Sequence, residues 1–72
     1  MTNQTLITIA LDGQPHQVPL GCNLAQLVTL LGHAAEAIST AVNQNFVARH
    51  LRAQHILRSG DSVLLFQPIV GG

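Results

Sequence analysis

Apolar positions recur along the chain at two different spacings, and the change of spacing marks out its elements. Between Thr5 and Leu11 they fall at every second residue, Ile7, Ile9 and Leu11, among β-branched neighbours, which predicts a strand with one face toward a core. Asp12-Gly13 then predicts a hairpin turn, because glycine accepts positive φ and aspartate can bond its own backbone. A second strand follows from about Gln14 to Leu20, and its Pro15 and Pro19 lack an amide hydrogen, so it belongs at a sheet edge or is only partly paired. After Gly21-Cys22-Asn23 the spacing changes. Leu24, Leu27, Val28 and Leu31 fall at i, i+3, i+4 and i+7, one helical stripe, with Asn23 as N-cap and Gly32 as the left-handed residue that ends the helix. Leu30 lies off the stripe, exposed or at its margin. A helix of about nine residues needs the sheet to hold it.

The second half is less periodic. His33–Ser39 is read as a connection, Thr40-Ala41-Val42 as a short strand, Asn43-Gln44-Asn45 as a polar turn and Phe46-Val47-Ala48 as another strand. Arg49–Gln54 is expected as a loop or short helical turn anchored to the core by Leu51 and Ile56. Ser59-Gly60-Asp61 is a tight turn before Ser62-Val63-Leu64-Leu65-Phe66, whose near-continuous apolar run predicts a central strand buried along most of its length. Phe46 and Phe66, the two aromatic residues, are expected in the core; should Phe66 face away from the helix, it would join Pro68, Ile69 and Val70 in an apolar patch fit for a protein partner. Pro68 ends the pairing, and residues 67–72 are expected as a flexible tail able to reach about 20 Å. Together these elements predict one α+β domain over residues 1–72, a sheet of four to five strands with one helix across one face.

Composition narrows the possible functions. Hydrophobic residues make up 47% and charged ones 8%, a folding composition, and three Arg against three acidic groups leave no net charge to steer the chain toward nucleic acid or an anionic membrane. So neutral a surface favours self-association unless a partner covers it. The single Cys22 excludes an intrachain disulfide, and with no apolar leader or membrane-length run the expected location is the cytoplasm. Cys22 is read as a small buried hydrophobe where strand meets helix rather than as a nucleophile. His16, His33, His50 and His55 share no i, i+4 face and have no cysteine pair beside them, so no metal site is expected. Arg49, Arg52 and Arg58 form either a small basic face or, more simply, solvated charges. There is no phosphate loop, nucleophile elbow or pair of carboxylates on a common element, so no catalytic residue is assigned.

What remains for chemistry is Gly71-Gly72. A residue without Cβ passes through narrow channels and leaves the terminal carboxylate sterically bare, able to serve as an acyl donor once activated.

Ala41-Val42-Asn43, Ser59-Gly60-Asp61 and the closing Leu64-Leu65-Phe66-Gln67-Pro68-Ile69-Val70-Gly71-Gly72 stand in the order of one family. Over residues 6–72 the chain resembles the ThiS family, the ubiquitin-like sulfur carriers of thiamine thiazole synthesis. Ala48, where many members have proline, is a departure that touches local loop rigidity alone. The resemblance implies a β-grasp fold and a carrier rather than an enzyme. It implies that a ThiF-type adenylyltransferase uses ATP and Mg to convert the Gly72 carboxylate to an acyl-adenylate, and that a sulfur-donor enzyme's sulfur then makes it a thiocarboxylate. The carrier would next deliver sulfur to thiazole synthase, ThiG. Gly71 would be the slim neighbour of Gly72, and Phe66, Pro68, Ile69 and Val70 the docking residues. The alternatives are the MoaD-like small subunit of molybdopterin synthase, a ubiquitin-like protein modifier, and an interaction module with an inert tail. About eight residues between Gly32 and Ala41 suit the thiazole carrier better than the longer molybdopterin type.

Overall fold

In the computed structural model, which describes residues 5–67, five strands form one mixed sheet: β1 (Leu6–Leu11), β2 (Gln14–Pro19), β3 (Ser39–Val42), β4 (Asn45–Val47) and β5 (Ser62–Phe66), in the order β2-β1-β5-β3-β4. The expected final central strand is there, with β1 parallel and β3 antiparallel to it. The residues Pro68, Ile69, Val70, Gly71 and Gly72, and with them the expected tail beyond Gln67, lie outside the described residues.

Both hairpins turn on two residues with positive φ. Asp12 and Gly13 (φ 49° and 82°) join Leu11 to its partner Gln14, and Asn43 and Gln44 (φ 52° and 73°) join Val42 to Asn45. β2 is an edge strand, and its ladder phase explains its prolines. The Leu20 amide bonds the Thr5 carbonyl, so the bonded pairs run through Val18 and His16, and Pro15 and Pro19 occupy the alternate positions whose nitrogens face away from β1.

The helix α1 (Leu24–Leu30) is seven residues long. The Asn23 side chain accepts from the Gln26 amide at 2.8 Å while the Gln26 side chain accepts from the Asn23 amide at 2.9 Å, a reciprocal capping box. At the other end Gly32 (φ 85°) donates to Thr29 and His33 to Val28, the paired bonds of a Schellman stop. Leu24, Leu27 and Val28 are buried and Leu30 exposed, so the predicted stripe faces the sheet. There Leu24 and Leu27 meet Ile7 and Ile9 of β1, Val18 of β2, Val42, Val47 and Val63 from the other strands, and Leu57.

The segment between β4 and β5 departs from expectation. It is a 3₁₀ helix, Arg49–Gln54, but Leu51 and Ile56 are exposed, and the buried residues are Arg52 and Leu57. The reason is a short pairing in which the Leu24 amide bonds His55 and the Leu57 amide bonds Cys22, which turns Leu57 inward and Ile56 outward. Arg52 is therefore not a solvated charge. Only 3% exposed, its Nε donates to Thr40 Oγ1 at 3.1 Å, its NH1 to the Ala35 carbonyl at 2.9 Å and its NH2 to the Ile38 carbonyl. Thr40 Oγ1 in turn donates to the Val47 carbonyl, so one guanidinium ties the 3₁₀ turn Ala35–Ala37, the start of β3 and β4 together. Burial, and then the neighbouring Arg49, push this guanidinium below its ordinary pKa. Replacing Arg52 with Leu would strand these oxygens without donors and is expected to lower the unfolding free energy by about 3 kcal/mol, read as a shifted midpoint in urea with an unchanged slope.

Candidate functional site

The last strand, β5, precedes the C-terminal residues in the chain, and polar contacts fix both of its ends. At its start the Asn43 Nδ2 donates to Asp61 Oδ1 at 3.1 Å, and Asn43 Oδ1 accepts from the Ser62 amide at 3.0 Å. Asp61 Oδ2 also accepts from the Arg58 amide, closing the turn that precedes β5. Farther along, β1 has already ended, and Asp12 Oδ1 takes its place by accepting from the Leu65 amide at 3.0 Å. Thus β5 enters and leaves its ladder at set positions.

Alternation then decides what β5 shows on each face. Val63 is fully buried and Leu65 half-buried on the helix side, whereas Leu64 and Phe66 are 44% and 40% exposed. The strand is central but not buried along its length, because the helix covers one face alone. Neither phenylalanine is in the core. Phe46, 66% exposed, pairs with Ala41, which pairs with Leu64, so these side chains stand in a row across three strands on the outer face. Phe66 follows along β5, opposite Ser39. Phe66 faces away from the helix, with Pro68, Ile69 and Val70 outside the described residues; beside it stand Phe46 and Leu64, which the sequence reading missed. Their signal was parity: a two-residue turn at Asn43-Gln44 pairs Ala41 with Phe46, and Leu64 shares the parity of Phe66 rather than that of Val63.

Other candidates are quiet. Cys22 is buried with its thiol toward the Asn23 carbonyl at 3.4 Å, and burial pushes the thiol up, away from the reactive thiolate. Among the described residues no three His, Cys, Asp or Glu groups gather as a metal set, and no helix is long and apolar enough to cross a membrane.

The ThiS family model matches residues 3–72. The chain belongs to the ThiS family. It is 38% identical over 64 residues to the sulfur carrier protein ThiS of Escherichia coli (strain K12), a match that covers 89% of this chain and 97% of that protein. A crystal structure of a thiamine biosynthesis protein (ThiS) from Geobacter metallireducens superposes with a TM-score of 0.80 at 22% identity, over 92% of this chain and all of that one. An NMR solution structure of a thiamine biosynthesis protein from the same organism gives 0.72 at 23% identity, over 92% of this chain and 88% of that one. Those two structures establish the fold, the β-grasp architecture of the ThiS family. Family model and relative place the chain with the thiamine carriers rather than with the molybdopterin or protein-modifier types.

Two of the three second-half motifs that carried the resemblance touch each other, since Asn43 and Asp61 are hydrogen-bonded across the start of β5. Of the docking candidates, Phe66 is described and exposed. Phe66→Glu is accordingly expected to leave the unfolding midpoint within about 1 kcal/mol of the parent, the scale of a surface substitution. Thermal unfolding followed by circular dichroism checks this, and a collapse of the fold would return Phe66 to the core.

Proposed function

We propose that this chain is a sulfur carrier of thiamine thiazole synthesis and that its working group is the carboxylate of Gly72. The observation that carries the reading, beyond family membership, is the apolar row that runs from Phe46 on β4 to Leu64 and Phe66 on β5, the strand that precedes Pro68–Gly72 in the chain. A domain with an apolar outer face on the strand that precedes its reacting residues is suited to be gripped by enzymes. In this reading Phe66, Pro68, Ile69 and Val70 dock, Gly71 gives slender access and Gly72 reacts.

The chemistry asks little of the domain itself. A carboxylate is a poor electrophile; attack of its oxygen on the α-phosphorus of MgATP, bound by a ThiF-type adenylyltransferase, expels pyrophosphate and leaves an acyl-adenylate. Sulfide released by a donor enzyme then attacks the acyl carbon, AMP departs with that oxygen and the S–H proton passes to solvent, so one oxygen of the terminus becomes sulfur. The thiocarboxylate is ionised and nucleophilic at neutral pH, ready for ThiG, the thiazole synthase. Every step but the carrying is the partners' work. From Gln67 five residues span at most about 17 Å, so a partner must hold the domain within that distance of its reacting centre.

Intact-mass analysis after incubation with the adenylyltransferase, MgATP and a sulfur source tests the proposal. The C-terminal peptide should gain one sulfur in place of one oxygen, and a chain lacking Gly72 should stay unconverted. A terminus that remains a plain carboxylate, or conversion that survives loss of Gly72, would defeat it.

A further inference from the structure

The outer apolar face has a charged margin that the fold does not use. Arg52 is committed to three oxygens, but Arg49, at the start of the same 3₁₀ helix, is exposed. Both line a depression shared with Glu36, Ser39 and Phe46. Phe46 belongs to the apolar row, and Ser39 is the β3 partner of Phe66, so the depression adjoins the end of β5 from which the chain continues to its terminus. Two guanidiniums against the carboxylate of Glu36 leave it one net positive charge. The third cation, Arg58, lies just before the turn that starts β5, at the opposite end of the strand.

Arginine beside an aromatic ring at the edge of an apolar patch is the composition of a protein interface, and a guanidinium fits a carboxylate in two parallel hydrogen bonds. Net neutrality of the whole chain speaks against a polyanion as the occupant. We propose that this depression receives a carboxylate side chain of the adenylating enzyme, seated on Arg49 beside Phe46, while Leu64 and Phe66 meet apolar side chains of that enzyme. The inference rests on the carrier reading above. It assigns the contact to the activation step because there the tail arrives as an anion beside the polyphosphate of ATP. A cation–carboxylate contact at the rim offsets that like-charge approach and steers the encounter.

Pyrophosphate release by the adenylating enzyme with MgATP, measured against carrier concentration at low and high salt, provides the test. For Arg49→Glu the KM for the carrier should rise about tenfold at low salt with kcat within about twofold, and its salt dependence should flatten, as for a reversed rim charge. Arg49→Gln should raise KM about threefold, and Arg58→Gln should leave it unchanged. Thermal unfolding confirms that each variant is folded; if Arg49→Glu is not, Arg49→Gln alone decides. A parent-like KM and salt slope in Arg49→Glu, or a loss confined to kcat, overturns the inference and leaves the carrier reading standing. No pyrophosphate release with the parent chain overturns both.

Discussion

One short helix must shelter a five-stranded sheet, and most of what is distinctive here follows from that mismatch. With strands about 4.8 Å apart the outer two lie about 19 Å from each other, whereas a helix with its side chains is about 10 Å across. On the covered face, α1 is therefore supplemented by Leu57 and by the 3₁₀ segment that carries Arg52. On the opposite face no helix packs among the described residues, and Phe46, Leu64 and Phe66 stand exposed there. Apolar residues on both faces of β5 are thus two demands superimposed on five residues: Val63 and Leu65 hold the domain together, and their alternates are left for other molecules.

Polar locks do much of the positioning that a larger core would do by packing. A 72-residue domain buries only about 60% of its unfolded surface and has little apolar contact to spare for its connections. The connection from α1 to β3 is held by Arg52 through two carbonyls and Thr40, and the entry to β5 by Asn43 and Asp61. Such bonds are directional, so they set register and strand ends in a way that nonspecific burial does not. No buried side-chain polar atom among the described residues lacks a partner, which is what makes a buried guanidinium tolerable.

The first half of the fold was legible because its signals are local. Period-two spacing in β1, Asp12-Gly13, the Asn23 cap, the Leu24-Leu27-Val28 stripe and Gly32 each act over a few residues, and each appears where its chemistry places it. The edge position of β2 was legible too, from two prolines. Arg52, Leu57 and the outward phenylalanines were not, because their roles depend on contacts distant in sequence. Nothing near Arg52 announces that Thr40, twelve residues earlier, will accept its Nε proton. A continuous apolar run reads as burial on both faces, and only the number of covering elements, a property of the whole fold, corrects it. Of the site, Phe66 was legible by its place beside the terminus, while Phe46 needed the register of the second hairpin.

Sparse charge gives each exposed cation unusual weight. With Arg52 taken into the interior, the exposed positive side chains other than histidine among the described residues are Arg49 and Arg58, at opposite ends of β5. On a highly charged surface one guanidinium is lost in the field of its neighbours, but here it is a leading feature that a partner's potential can orient. An apolar face alone would admit several angles of approach, since hydrophobic contact has no direction. A carrier must present its terminus within a short reach and then leave, so it gains little from a larger apolar area, which would slow release. A modest apolar row with one charge at its rim supplies direction without that penalty, because rim charges act mainly on the rate and geometry of encounter.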